Sequence, residues 1–296
     1  MNKNPLIFGE VLFDIFPDGH QVLGGAPFNV AWNLQAFGQN PSLVSRIGND
    51  EQGQMIRNSM IDWGMDTSQL QTDLALPTGK VEIQLQQGEP VYDIVSPCAY
   101  DAIRISPDES PNCRFLYHGS LALRDPASAI SLQRIVEKRP ECIFLDVNLR
   151  APWWKKESVL SSIRQADWVK LNIDEFQLLC AVNEPDAHSL NSFISAFHLQ
   201  GVILTRGAKG AEVLNHAGEH FKVKPNYTSD VADTVGAGDA FASVMIVGLM
   251  NSWPMQTTLE RAQAFASGVV GLRGATVSDI DFYKNIMSRW DEEKNK

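Results

Sequence analysis

Four segments of the chain share one design, and that design constrains the fold more than any other feature. Phe115-Leu116-Tyr117-His118-Gly119, Ile143-Phe144-Leu145-Asp146-Val147-Asn148, Trp168-Val169-Lys170-Leu171-Asn172 and Val202-Ile203-Leu204-Thr205 are apolar runs that finish in a polar side chain. Short, nearly continuous apolar runs suit strands covered on both faces. Between them lie helix-like stretches, roughly 127–139, 155–166, 174–182 and 188–199. Strands alternating with helices predict an α/β fold with a mostly parallel sheet. Ligands bind such sheets beyond the carboxyl ends of the strands. His118, Asp146, Asn148, Asn172 and Thr205 are therefore expected on one edge. Each alone reads as an ordinary cap or loop residue; their shared place at strand ends is what points to a site.

The N-terminal run Leu6-Ile7-Phe8-Gly9-Glu10-Val11-Leu12-Phe13-Asp14 reads as one more buried strand. Asp14 at its end is either a turn residue ahead of Pro17-Asp18-Gly19 or an acceptor for substrate hydroxyls. Gly24-Gly25-Ala26-Pro27 then opens a helix that closes at Gly38, with Pro27 suited to the first turn and Gly38 to the C′ position. Val30, Leu34 and Phe37 mark its core face. Gly24-Gly25 lets a ligand approach the backbone, and Asn29 can point an amide at it. Residues 80–95 differ: Lys80 to Gln86 alternates polar and apolar strictly, Gln87-Gly88-Glu89-Pro90 is a turn signal, and Val91 to Val95 returns. This predicts an antiparallel hairpin standing off the main sheet, as a lid, a dimerisation flap, or both.

Towards the C-terminus, Asp233-Thr234-Val235-Gly236-Ala237-Gly238-Asp239 precedes a stretch, 240–250, that is apolar nearly all round and so predicts a buried helix. Its start is an anion site: free N–H groups and the helix dipole favour negative charge, and small residues let a phosphate come close. Asp239 is either a helix cap or a base for a hydroxyl that attacks that phosphate. Asn172 and Glu175 are three apart at a helix start, where an amide and a carboxylate suit magnesium held through waters. Thr205-Arg206-Gly207-Ala208-Lys209-Gly210 is a second glycine turn, and its spacing matches neither a P-loop nor a dinucleotide-binding turn. Residues 212–223 read as a hairpin turning at Ala217-Gly218, residues 259–272 as a further helix, and the polar tail from Asp291 is expected to fray.

The 296 residues, 44% of them hydrophobic, suffice for one large α/β domain or for one domain with a small appendage. The net charge of −10 argues against nucleic acid as a partner but not against a nucleotide, which needs only local donors. Four cysteines without metal spacing read as reduced thiols of a cytoplasmic protein. No secretory leader and no membrane span are expected.

Gly24-Gly25-Ala26-Pro27-Phe28-Asn29-Val30-Ala31 resembles the N-terminal signature of the PfkB (ribokinase-like) carbohydrate kinases, and Asp233 to Asp239 their C-terminal signature. Arg46-x-Gly48-x-Asp50, Asn172-x-x-Glu175 and Thr205-x-Gly207-x-x-Gly210 fall between in the family's order, so the resemblance spans nearly the whole chain. It implies a single domain over 1–296 with a three-layer fold, its mostly parallel central sheet flanked by helices, and a small β-sheet lid from about 10–24 and 78–100 inserted in it. It also implies transfer of the ATP γ-phosphate to a primary sugar hydroxyl. In that reading Asp239 is the base, and Gly236, Ala237 and Gly238 hold the transferring phosphoryl group. Asp14, Gly25, Asn29 and Arg150 contact the sugar. Asn172, Thr205, Gly207 and Gly210 serve the nucleotide, Glu175 serves Mg²⁺ through water, and Asp233 serves a monovalent cation such as K⁺. Gly9-Glu10, His118-Gly119-Ser120 and Asp146-Val147-Asn148-Leu149-Arg150 with Trp153 resemble the fructokinase branch. Kinases of 2-keto-3-deoxygluconate or ribose are the alternatives, and a homodimer through the lid is expected. A non-catalytic sensor on this fold would lack the base or the glycines, and a dinucleotide-dependent oxidoreductase would need glycines after the first strand; the sequence fits neither.

Overall fold

The computed structural model describes residues 4–86, 89–108, 110–225, 236–270 and 276–294. The turn expected at Gln87-Gly88 and the Asp233-Thr234-Val235 half of the C-terminal motif lie outside them. Nine strands make the main sheet. In chain order they are β1 (Leu6–Phe8), β4 (Ser42–Gly48), β5 (Leu70–Asp73), β8 (Phe115–His118), β9 (Cys142–Asp146), β10 (Trp168–Asn172), β11 (Gly201–Thr205), β12 (Ala211–Asn215) and β13 (His220–Val223). Four more, β2 (Leu12–Ile15), β3 (Gln21–Gly24), β6 (Gly79–Gln86) and β7 (Glu89–Ile94), make a smaller sheet.

The main sheet runs β13-β12-β11-β10-β9-β8-β1-β4-β5. Its strands pair in parallel from β11 to β5, and β11-β12-β13 forms an antiparallel margin. The smaller sheet has the order β3-β2-β6-β7, with the expected β6–β7 hairpin antiparallel and β2 joining β6 in parallel.

Nine helices among the described residues cover the main sheet: α1 (Ala26–Ala36), α2 (Glu51–Asp62), α3 (Pro126–Val136), α4 (Lys156–Ile163), α5 (Ile173–Cys180), α6 (Ala187–Phe197), α7 (Ala237–Met250), α8 (Met255–Val270) and α9 (Ile280–Lys294). Strand alternation divides the core into two layers. Ile7, Leu43, Tyr117, Phe144 and Ile203 pack with α1, α7, α8 and α9, whereas Leu6, Phe8, Leu116, Leu145, Leu171 and Leu204 pack with α3, α5 and α6. Side chains two apart share a face, so a single strand such as β8 or β9 supplies both cores. Helix α7 sits between α1 and α8 and is buried from Ala240 to Gly248, as its all-round apolar sequence predicts.

Two expectations are corrected. The run from Leu6 to Asp14 is two strands in different sheets. The chain turns out of β1 at Gly9 (φ 147°), where a side chain would meet Pro27 at 2.5 Å, and enters β2 after Val11. Asp14 therefore belongs to the smaller sheet, not to the end of a core strand. The chain re-enters the core at Gly25 (φ 107°), where a Cβ would lie 2.8 Å from the Glu10 carbonyl oxygen. The tail from Asp291 continues α9 rather than fraying at once: Trp290 is buried, its carbonyl accepts from Arg261 Nη2 at 2.7 Å, and that guanidinium lies over its ring. Among the described residues no helix is long and apolar enough to cross a membrane.

Candidate functional site

A cleft of about 380 Å³ opens where the smaller sheet faces the carboxyl ends of the main strands and the start of α7. Its walls include Glu10, Asp14, Gly25, Asn29, Asp146, Asn148, Arg150, Lys170, Asn172, Glu175, Thr205, Gly236, Gly238 and Asp239. Residues from both ends of the chain thus meet at one place, as the strand-end argument requires.

Asp239 does not cap its helix. Gly236, in the left-handed region (φ 80°), occupies the N-cap position, and Asp239 is the third helical residue. Its Oδ2 accepts a hydrogen bond from Asn29 Nδ2 at 2.8 Å. One turn further on, Asn33 Nδ2 donates to Ser243 Oγ (3.2 Å), which donates to the Asp239 carbonyl (2.7 Å). Tyr283 of α9 donates to Asn33 Oδ1 (2.7 Å). Residues four apart on two facing helices therefore form a polar seam that fixes the carboxylate. Burial pushes Asp239 up to about 6, with Asp146 adding to the rise and the Asn29 hydrogen bond, Lys170 and Arg150 opposing it. A carboxylate of that acidity, free to ionise near neutrality, is suited to accept a proton.

Below the start of α7 lies a pair absent from the motif reading. Lys170 Nζ meets Asp146 Oδ2 at 2.7 Å, with both side chains buried. A Cβ on Gly238 would sit 3.5 Å from that ammonium, so the cation lies directly under the helix entrance. Burial alone would lower the Lys170 pKa; Asp146, with Glu175 and Asp239, holds it above its ordinary value instead. The signal was present in the sequence, since a lysine inside an apolar strand is rarely buried unless paired.

Asn172 and Glu175 form a reciprocal capping box at the start of α5. Asn172 Oδ1 accepts from the Glu175 N–H at 2.9 Å, and Glu175 Oε2 accepts from the Asn172 N–H at 2.8 Å. Glu175 Oε1 takes the Leu149 N–H, also at 2.8 Å. Burial raises the Glu175 pKa, Asp146 adds to the rise, and the Asn172 N–H, Lys170 and the Leu149 N–H oppose it. Both oxygens already hold a backbone donor, which leaves lone pairs for waters rather than an inner coordination shell. Among the described residues no group of three or more His, Cys, Asp or Glu is placed to hold a metal by itself.

Asp14, on β2, is pushed up to about 6 by burial, with Arg150 opposing. Thr205 lines the cleft, whereas Gly207 and Gly210 form the turn beyond it, braced by Arg206 on Glu212 at 2.6 Å. Ala237 opens α7. Asp233 lies outside the described residues.

His118 is the correction within the site. It ends β8 on the opposite face, in step with Leu116, and its Nδ1 faces the Gly119 carbonyl at 3.0 Å. Burial holds it down at about 4. It borders a separate groove with Leu132, Gln133 and Ser161. Asp146, Lys170 and Thr205 carry the other parity and reach the cleft.

A family model described as "pfkB family carbohydrate kinase" matches residues 10–281. Fructokinase from Escherichia coli is 24% identical over 93% of this chain and 95% of its own length. A 5-dehydro-2-deoxygluconokinase from Clostridium botulinum is likewise 24% identical, over 93% of this chain and 85% of its own. The fold is shared with the ATP-bound structure of fructokinase from Xylella fastidiosa at TM-score 0.83 and 21% identity, covering 97% of this chain and 100% of that one. With the cleft, the polar seam behind Asp239 and the three-layer architecture, these likenesses place the chain in the pfkB family of carbohydrate kinases.

Proposed function

We propose that this protein is an ATP-dependent fructokinase, moving the γ-phosphoryl group to a primary hydroxyl of the sugar. The observation that carries the reading is Asp239: a buried carboxylate at a helix entrance, aimed by Asn29 and tuned to about 6. The sugar binds between Asp14 on the smaller sheet and Asn29 on α1, with Gly25 admitting it to the backbone and Arg150 at its side. Asp239 takes the hydroxyl proton as the sugar oxygen forms its bond to phosphorus and the bond from phosphorus to the ADP oxygen breaks. The N–H groups at Gly236, Ala237 and Gly238, with the Lys170 ammonium beneath, stabilise charge on the phosphoryl oxygens. Asn172 and Thr205 face the nucleotide, with Gly207 and Gly210 shaping the turn beside it. The donor set of Glu175 fits Mg²⁺ held through water; when bound, it supplies charge neutralisation on the phosphates. The smaller sheet acts as the lid and keeps water from the phosphoryl group. The four thiols are free, in keeping with a cytoplasmic enzyme.

A second reading is favoured by Arg150, whose exposed guanidinium at the sugar end suits the carboxylate of a sugar acid such as the 5-dehydro-2-deoxygluconate in the name of one relative. The test is ADP release with Mg-ATP across fructose, ribose, tagatose, glucose, adenosine, 2-keto-3-deoxygluconate and 5-dehydro-2-deoxygluconate. Dominant turnover of fructose supports the proposal, and dominant turnover of an acid supports the second reading. Silence with every sugar overturns both.

A further inference from the structure

The reaction above makes no use of Glu10, yet its carboxyl is one of the most enclosed groups beside the cleft. Glu10 lies in the link that carries the chain from β1 to β2 and is 3% exposed. The backbone N–H groups of Glu10 itself and of Ala122 face its carboxyl. Oε2 has no hydrogen-bond partner among the described residues. A buried polar atom left alone is unfavourable, and in native structures it asks for a reason.

Two further observations point the same way. Glu10 lines the cleft beside Asp14, Asn29, Arg150 and Asp239, and Asn29 Oδ1 on the same wall is also buried without a partner. The two links to the smaller sheet cross here: the Glu10 carbonyl packs where any side chain on Gly25 would stand. That crossing fixes the Glu10 backbone, and hence the carboxyl, against the cleft. A role confined to bracing the fold would use both carboxyl oxygens inward, as the buried Asp101 does on Arg124.

We propose that Glu10 is a further sugar contact beside Asp14 and Asn29, its Oε2 pairing with a hydroxyl of the sugar other than the one phosphorylated. Burial pushes the Glu10 carboxyl up to about 7, with Asp239 adding and its own N–H, Arg150 and the Ala122 N–H opposing. Near neutrality the group can therefore donate or accept, which suits a hydroxyl that does both. The inference rests on the sugar-kinase reading.

The test is a cycle between side chain and substrate. ADP release is measured for the unaltered protein, Glu10→Ala and Glu10→Gln with fructose, or whichever sugar of the panel is turned over, and with its monodeoxy analogues. Glu10→Ala should raise the sugar KM about tenfold or more and leave the ATP KM within about twofold. One analogue should lose about tenfold with the unaltered protein and nothing further with Glu10→Ala, since the pair is already broken. If Glu10→Ala fails to fold, the same cycle is read in Glu10→Gln, which keeps the shape and alters the pairing. Equal losses for every analogue in both proteins, or sugar and ATP KM rising together, would overturn the contact and leave the kinase reading standing. If the unaltered protein turns over no sugar, the kinase reading fails and the contact with it.

Discussion

Two buried ion pairs of nearly equal length sit in different surroundings. Lys170–Asp146 spans 2.7 Å and Arg124–Asp101 2.6 Å, and all four side chains are under one tenth exposed. Arg124 is enclosed. It donates to both Asp101 oxygens and to the Val95 carbonyl, and lies over the rings of Tyr100 and Trp153. It ties the exit of the smaller sheet to the core. Lys170 gives one donor to Asp146 and lines an open cleft under a helix entrance. Burial alone does not separate a structural charge from a functional one; spare hydrogen-bonding capacity facing a cavity does.

The largest expected effect tests the centre that Lys170 is proposed to serve. Asp239→Asn keeps shape and removes the base, so kcat should fall by about 10²–10⁴ while the sugar KM moves little. Near-normal turnover would sink the assignment. Next come the pairs themselves. Replacing a buried pair by apolar residues of similar size is often neutral or stabilising, so Lys170→Met with Asp146→Leu and Arg124→Met with Asp101→Leu should both fold. The first should lose about 10²-fold in kcat, whereas the second should retain turnover. Equal activity in the two double variants would erase the distinction between the two pairs.

A smaller effect concerns pH. The Asp239 carboxyl is raised in the fold to about 6, so it is protonated and unable to accept a proton below that value. The rate should therefore fall on acidification through about 6, by about tenfold per unit well below it. Asp14 lies in the same window, and Asp14→Asn separates the two: the acid limb should survive in that variant. The smallest effect is at the side chain that shares a strand end but not a face. His118→Leu should leave turnover unchanged and cost about 1 kcal/mol or less on thermal or denaturant unfolding. A large loss of activity would mean that the face assignment is wrong.

Much of the fold was legible because its signals are local. Apolar runs ending in Asp146, Asn172 and Thr205, the helix opened by Pro27, and the alternation from Lys80 all have periods that survive into the structure. His118 was misplaced although the information was there: counting by twos from Phe115 and Tyr117 puts it with Leu116, away from the cleft. The break at Gly9 was harder. A run of apolar residues does not reveal that its halves pair with different sheets, and the reason, Pro27 packed against Gly9, lies eighteen residues away and is visible only once the chain is folded. The sequence marks Glu10 only through its likeness to the fructokinase branch and not as a cleft residue, for the same cause, and the seam from Asp239 to Tyr283 depends on contacts between distant helices that spacing within one helix does not supply.

The smaller sheet is assembled from two excursions, one spliced between β1 and α1, the other between β5 and β8, while Asp146, Lys170 and Asp239 belong to the core. Selection on the excursions can therefore redraw one wall of the proposed acceptor site without disturbing the centre proposed to handle phosphorus. If the proposed roles hold, a change of acceptor on this architecture is a local edit to a few surface segments, made over an unaltered engine.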